Sequence, residues 1–193
     1  GIVGSDPVMC QLATDTPLKG SDFQVIHRDT EGLFFELPSY AETPTYQLAL
    51  NFPLCDILDD SIGPLQIAKG THKLTSHEQD AMIEAGLVPL ESLYMKRGDA
   101  IIRDVRGLHR GTPNTTETPR PMVVVGYSRK WLRRPEVGIQ VPESVHRSLS
   151  SAAKNLLRYE PVVPDDVIEA GYDGLEKYNA QALTNASGKS ITL

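Results

Sequence analysis

The sequence predicts a mainly β protein, either a barrel or a double-sheet jelly roll. From Asp6 to Asp104, short apolar runs are broken by Pro, Gly, Asp and Thr, a texture typical of strands and loops. About eight short strands over roughly 120 residues suit paired sheets better than a repeating β-α-β pattern. The predicted strands are Val8–Ala13, Phe23–His27, Leu33–Leu37, Tyr46–Phe52, Leu65–Ala68, Ser92–Met95, Ala100–Arg103, a segment around His109, and Met122–Tyr127.

Helical signals are confined to one central segment and the C-terminal region. Ser76–Ala85 is predicted to be a short helix, with Ser76 as its N-cap and Gly86 just past its end. Apolar residues from Val145 to Leu157 recur every three or four positions, which predicts an amphipathic helix.

A second C-terminal helix is expected after Pro164, with Asp165 or Asp166 as its cap. Its apolar positions would be Val167, Ile168, Leu175 and Tyr178. Both C-terminal helices are expected to pack on the outside of the β core. The sequence therefore predicts a single domain over 1–193, with a β core at about 6–130 and a C-terminal helical segment at about 142–183.

Composition narrows the class of protein. A chain of 193 residues with 40% hydrophobic residues suits one globular domain. The formal net charge of −6 argues against a general affinity for nucleic acid or anionic membranes. Cys10 and Cys55 are too few for a disulfide framework or a cysteine zinc site. With no long apolar run and no signal-peptide pattern, we expect a cytoplasmic protein.

The first chemical motif is His27-Arg28-Asp29, inside the extended-looking run that begins at Gln24. Side chains alternate between the two faces of a strand, so His27 and Asp29 would project on the same side. An imidazole and a carboxylate on one face provide two of the three ligands of a facial His/carboxylate/His iron site.

The second motif lies in the stretch from Met95 to Arg129, where His109 precedes a Pro113-Asn114 turn and Arg120 opens an apolar strand. His109 can supply the third metal ligand. Arg120 can return along the adjacent strand and present its guanidinium to the same pocket, where a planar cation would hold a carboxylate in two hydrogen bonds.

Taken together, these motifs resemble the phytanoyl-CoA dioxygenase family of iron(II)- and 2-oxoglutarate-dependent oxygenases. The resemblance covers roughly residues 6 to 130 and depends on several elements in the family's order. These elements are His27-Arg28-Asp29, Gly63-Pro64-Leu65, Gly70-Thr71-His72-Lys73, Gly98-Asp99, His109, Asn114, and Arg120 eleven positions after His109. One departure is Ile62, where the family usually has Asn before Gly.

The resemblance implies a double-stranded β-helix in which His27, Asp29 and His109 bind iron and Arg120 binds the distal carboxylate of 2-oxoglutarate. It further implies hydroxylation, or another oxidation of an unactivated C–H bond, with O2 as oxidant and release of succinate and CO2. Because Asp29 is present, halogenation is disfavoured. Some relatives use a Gln at the position of Gln24 to contact the cosubstrate, although strict strand alternation would require a bulge there.

Several alternatives remain open from the residues alone. A cupin-like, metal-dependent isomerase could use the same barrel without 2-oxoglutarate, and a non-catalytic binding domain could retain the fold. Arg120 could form a salt bridge with a surface acid instead. His72 is expected to make a capping hydrogen bond rather than bind metal. Family enzymes usually have more residues before this His-x-Asp motif, so the chain is either a compact member or a portion of a longer protein.

A basic run around Trp131 suggests a second possible site. Its cations are Arg129, Lys130, Arg133 and Arg134. They could bind an anionic part of a substrate, such as a carboxylate or phosphate. The simpler interpretation is a solvated edge just past the last strand of the core.

Overall fold

The computed structural model describes residues 1–30, 32–34, 41–133 and 139–166. Within these ranges the protein is mainly β, as predicted, with nine strands and three α-helices. The strands are β1 Pro7–Asp15, β2 Gln47–Pro53, β3 Leu65–Ile67, β4 Glu91–Leu93, β5 Ile101–Asp104, β6 His109–Gly111, β7 Met122–Arg129, β8 Val141–Pro142 and β9 Val162–Val163. The helices are α1 Ser76–Glu84, α2 Glu143–Ser148 and α3 Ser151–Leu156.

Two antiparallel sheets form the body of the described fold. The larger sheet has the strand order β1-β7-β2-β5, and the smaller has the order β4-β3-β6. Strands far apart in the chain are neighbours in both, as expected for a jelly roll rather than a set of hairpins. A separate parallel pair, β8 and β9, lies in the C-terminal region.

Apolar contacts join the two sheets. Met122 on β7 packs with Ile57 and Met95, which pair with each other as an extension of the smaller sheet. Ile62 packs against this cluster. The apolar side chain found where the family usually has Asn therefore packs, partly buried, against the core contact between the sheets.

Alternation along the larger sheet determines what faces the interior. In β2 the buried residues are every second one, beginning at Gln47 and including Ala49 and Asn51. Arg103 on β5 lies directly opposite Ala49, so it shares their inward face. The interior of this sheet is therefore partly polar, and these polar residues lie near the functional site.

Two predictions about helices require correction. The N-cap of α1 is Thr75 rather than Ser76, because Thr75 forms a full capping box with Glu78. The amphipathic segment after Pro142 is two short helices rather than one, since Ser150 accepts a hydrogen bond from the Ala153 N–H and starts α3 anew.

Some predicted elements lie partly or wholly outside the described residues. These are the strand Leu33–Leu37, of which Leu33 and Phe34 form part of a turn, and the second C-terminal helix beyond Asp166. Phe23–His27 does not form a regular strand; it pairs by backbone hydrogen bonds at Gln24 and His27 only. None of the described helices is both long enough and apolar enough to cross a bilayer.

Candidate metal and cosubstrate site

The structure brings His27, Asp29 and His109 together. The Nε2 atoms of His109 and His27 lie 3.4 Å and 3.9 Å from Oδ1 of Asp29. One ligand atom from each of the three residues lies within 4.8 Å of the other two, close enough to share one metal ion. Arg28, between the two ligands of the first motif, forms an ion pair with Asp80 on α1. The predicted alternation of side chains is therefore observed.

Backbone pairing holds the triad in place. His27 and His109 form an isolated antiparallel bridge, with their amides donating to each other's carbonyls at 3.0 Å and 2.9 Å. The Asp29 amide donates to the carbonyl of Val105, just past β5. His27, Asp29 and His109 therefore lie where the smaller sheet meets the end of the larger sheet.

Each imidazole is oriented by a backbone carbonyl. Nδ1 of His27 lies 2.8 Å from the Val25 carbonyl, and Nδ1 of His109 lies 3.0 Å from the Gly107 carbonyl. A carbonyl only accepts, so Nδ1 carries the proton in the neutral ring and Nε2 keeps its lone pair. Both Nε2 lone pairs are therefore available to a metal ion beside Asp29.

The electrostatics favour the metal-binding protonation states. The pKa of His27 is lowered to about 4, mainly by burial and also by the nearby His109, although Asp29 acts in the opposite direction. Burial alone would raise the pKa of Asp29, but the Arg103 guanidinium and His109 hold it well below its usual value. Near neutral pH, His27 is therefore neutral and Asp29 is ionised.

Sequence reasoning missed Arg103, which contacts Asp29 directly. Its Nη1 donates to Oδ2 of Asp29 at 2.7 Å, and its Nε donates to Oδ1 of Asn51 at 3.2 Å. A signal was present in the predicted strand Ala100–Arg103, where Arg103 shares the inward face of Ile101. A cation on an inward face needs a buried partner.

A cleft of about 210 Å³ contains Arg120. The Arg120 side chain is only 1% exposed, and its Nη2 donates to Oδ2 of Asp15 at 3.2 Å. Its Nε and Nη1 have no hydrogen-bond partner among the described residues. The cleft is lined by Asp15, Thr16, Pro17, Ser21, Asp22, Gln24, Gly111, Thr112 and Arg120. Arg120 thus forms an ion pair with an exposed acid, one of the alternatives left open by the sequence, and also keeps unsatisfied donors.

Gln24 also lines this cleft, and no bulge is needed to place it there. Its backbone amide donates to the Gly111 carbonyl, and its side-chain Oε1 accepts from the Gly111 N–H at 2.8 Å. The alternation argument fails because 23–27 is irregular between its two pairing points. Gly111 follows His109 by two residues, so the cleft adjoins the triad along β6.

Two loop residues keep the site elements in register. Thr71 accepts from the Leu108 N–H at 2.8 Å, immediately before His109. Asn114 is fully buried, and its side-chain amide donates to the carbonyls of Pro17 and Thr118 on either side of the cleft loop. In the Gly70-Thr71-His72-Lys73 element, Thr71 therefore makes the hydrogen bond to the segment before His109, and His72 is not among the clustered potential metal ligands of the described residues.

Gly63 allows a close approach of two loops. It has a φ of +79°, and a Cβ at this position would lie 2.8 Å from the carbonyl oxygen of Thr112. Only glycine fits there without moving the backbone between His109 and Arg120. The Gly63-Pro64-Leu65 element thus has a steric reason for its glycine.

The cations of the basic run that fall in the described part of the chain already have partners. Arg129 donates to the Thr45 carbonyl, Lys130 pairs with Asp6, and Arg133 donates to the Tyr159 carbonyl. Arg134 lies outside the described residues. This arrangement supports the simpler interpretation of a structural, solvated edge.

The chain matches the family described as Phytanoyl-CoA dioxygenase (PhyH) over residues 4–122. Among solved structures it resembles AviO1 from Streptomyces viridochromogenes Tue57, with 22% identity over 66% of this chain and 53% of AviO1, and a TM-score of 0.55. HygX from Streptomyces hygroscopicus with nickel and 2-oxoglutarate bound is 16% identical over 72% of this chain and 62% of HygX, with a TM-score of 0.53. Another HygX structure also has hygromycin B bound.

A third similar structure is SnoN, described as a non-heme alpha ketoglutarate dependent epimerase from nogalamycin biosynthesis. It is 19% identical over 66% of this chain and 49% of SnoN, with a TM-score of 0.50. These structures share the fold of this protein, which spans about half the length of AviO1 and SnoN. The family match covers more than half of the chain and contains His27, Asp29, His109 and Arg120. The chain belongs to the phytanoyl-CoA dioxygenase family of iron- and 2-oxoglutarate-dependent oxygenases.

Proposed function

We propose that this chain binds iron(II) and 2-oxoglutarate and uses O2 to hydroxylate an unactivated C–H bond of a small organic molecule, releasing succinate and CO2. The observation that carries the proposal is a triad of metal-binding type beside a cleft with a buried, partly unpartnered arginine. His27, Asp29 and His109 would bind the metal, and Arg120 would bind the distal carboxylate.

The donor set fits iron(II). Two neutral imidazoles and one carboxylate on one side of a metal leave three positions open, enough for a bidentate 2-oxo acid and O2. When bound, the iron and cosubstrate together supply the oxidising chemistry, and the protein supplies orientation. The carbonyls of Val25 and Gly107 keep both imidazoles in the required tautomer.

The cleft fits a dicarboxylate. Arg120 presents two unpartnered nitrogens in a site that removes its side chain almost entirely from water. An incoming carboxylate would satisfy these donors with charge-assisted hydrogen bonds, each contributing about 1.5–3 kcal/mol. Gln24, beside Gly111, would line the path between Arg120 and the metal.

Hydroxylation is the outcome we propose among several that share a first oxidative step. Asp29 is present, so its position is not open to a halide. SnoN is described as an epimerase, and HygX has been crystallised with hygromycin B, so similar folds serve different small-molecule reactions. These neighbours support a small-molecule substrate without specifying its identity.

Anaerobic addition of iron(II), then 2-oxoglutarate, to the purified metal-free protein tests this proposal. We expect a weak visible charge-transfer band when the cosubstrate chelates the metal. Asp29→Ala should lose both iron and the band, whereas Asp166→Ala, which removes an exposed aspartate, should retain them. Iron binding without the band would favour a metal-dependent isomerase. Failure to bind iron would favour a non-catalytic domain.

A further inference from the structure

Arg103 occupies a position that the proposed ligand set alone does not explain. It extends from β5 to Asp29, while Asn51 on β2 holds its Nε. Asn51 is 3% exposed and the Arg103 side chain 12% exposed. Ala49 lies opposite Arg103, and Asn51 is two residues further along β2 on the same inward face. The register between β2 and β5 therefore places the side chains of Arg103 and Asn51 next to each other.

The two oxygens of Asp29 have different neighbours. Oδ1 faces the Nε2 atoms of His27 and His109, at 3.9 Å and 3.4 Å. Oδ2 accepts the 2.7 Å hydrogen bond from Arg103. The charge-assisted hydrogen bond draws electron density from Oδ2 and fixes the carboxylate plane, so Oδ1 is the better ligand atom for a metal.

We infer that Arg103 is a positioning residue that keeps Asp29 a one-oxygen ligand and so preserves an open position for the cosubstrate. This inference rests on the proposed function. A carboxylate binding through both oxygens would take a fourth position of six, leaving too few for a chelating 2-oxo acid and O2 together. Arg103, anchored by Asn51, prevents that by occupying Oδ2.

The alternative is a purely structural role, in which Arg103 only neutralises a partly buried carboxylate. The two roles predict different results for iron and for cosubstrate. A positioning role predicts that Arg103→Met retains iron, because Asp29 gains freedom to bind the metal, but binds 2-oxoglutarate poorly. A structural role predicts a loss of folding stability, with no selective loss of the cosubstrate.

The experiment measures iron(II) affinity and the visible charge-transfer band for wild type, Arg103→Met and Arg103→Lys, without oxygen. We expect Arg103→Met to bind iron within threefold of wild type and to need at least tenfold more 2-oxoglutarate to develop the band. Arg103→Lys, which keeps a cationic donor near Oδ2, should need a 2-oxoglutarate concentration within threefold of the wild-type value. Arg147→Met, at an exposed position of α2, is the matched control and should show no change.

The other outcomes overturn either the inference alone or the proposed function together with the inference. If the wild-type protein shows no band, the proposed function is overturned, and this inference with it. A normal band in Arg103→Met overturns only the inference, as does a parallel loss of iron and cosubstrate affinity. If Arg103→Met does not fold, Asn51→Ala carries the test, because Arg103 then loses its Nε anchor. We expect Asn51→Ala to retain iron and to need about threefold more 2-oxoglutarate to develop the band. An unchanged 2-oxoglutarate requirement in Asn51→Ala overturns the inference.

Discussion

The metal triad and the Arg120 cleft adjoin each other but satisfy their polar groups in opposite ways. In the triad, both imidazole Nδ1 atoms face backbone carbonyls, and Oδ2 of Asp29 is held by Arg103. In the cleft, Arg120 is nearly as buried as any residue in the chain, yet two of its nitrogens have no partner in the described ranges. The triad is therefore complete before any ligand arrives, and the cleft is not.

The difference indicates which region relies on its ligand. An unsatisfied buried donor costs about 1–3 kcal/mol, so a protein retains one only where something else provides the missing hydrogen bonds. The oriented triad already brings one ligand atom from each residue within 4.8 Å of the other two. The cleft gains its missing contacts only with an anion bound, and the predictions below test this contrast from the largest expected effect to the smallest.

Replacing Arg120 tests the cleft most directly. In Arg120→Met we expect the dissociation constant for 2-oxoglutarate to rise on the order of 100-fold, from the loss of two charge-assisted hydrogen bonds. Iron affinity should not change, because Arg120 is not a metal ligand. The free energy of unfolding should not fall, since the variant removes two unsatisfied donors. Isothermal titration of iron-loaded and metal-free protein measures both affinities, and Arg147→Met, at an exposed helix position, is the control. Loss of iron binding would show that the two regions are not independent.

The pH dependence of stability tests the triad. Unfolded His27 takes up a proton near its ordinary pKa of 6.5, whereas the folded residue does so only near 4. The unfolded state therefore binds more protons between these values, and stability falls as the pH is lowered from 6.5 to 4, by up to about 3 kcal/mol. The depressed pKa of Asp29 extends the loss to lower pH.

Urea unfolding of chelator-treated protein at pH 7 and pH 4.5 measures this change. His27→Asn should flatten the dependence, while His77→Asn on the exposed face of α1 should leave it intact. Burial also lowers the pKa of His72, so a smaller slope will remain in His27→Asn. An unchanged slope in His27→Asn would contradict the assigned environment of that ring.

Gly111→Ala perturbs the boundary between the two regions. A Cβ there would lie 3.0 Å from Oε1 and 3.1 Å from Cδ of Gln24, so the end of the Gln24 side chain must shift by a few tenths of an ångström. We expect about a tenfold loss of 2-oxoglutarate affinity with iron affinity retained. The effect should shrink in the Gln24→Ala background, where the clash is gone. Equal effects in both backgrounds would exclude Gln24 as the cause.

Asp15→Asn should produce the smallest effect, and one of opposite sign. Asp15 is 46% exposed and bonds to Nη2 of Arg120, so its charge competes with an incoming carboxylate. We expect 2-oxoglutarate to bind about threefold more tightly in the variant, because an exposed ion pair is worth less than about 1 kcal/mol. The gain should diminish at high salt. Weaker binding would instead mean that Asp15 orients Arg120 for its ligand.

The sequence predicted most of the strands because alternation and turn residues are local signals. It failed where the backbone did not keep one regular conformation along the predicted segment. The helix after Pro142 divides because Ser150 caps a new start, and Gln24 enters the cleft because its segment pairs at only two points. In both cases the periodic pattern was correct, but the backbone did not remain regular along it.

By itself, the sequence predicted the three residues that we propose as metal ligands and the arginine of the cleft. His27 and Asp29 are two residues apart, so strand geometry alone places them on one face, and the ordered motifs point to His109 and Arg120. Only the tertiary structure decided what those residues contact. Arg103 and Asp29 are separated by 74 positions, and Arg120 and Asp15 by 105. No local period relates such pairs, because sheet register and the packing of one sheet against the other set their distance.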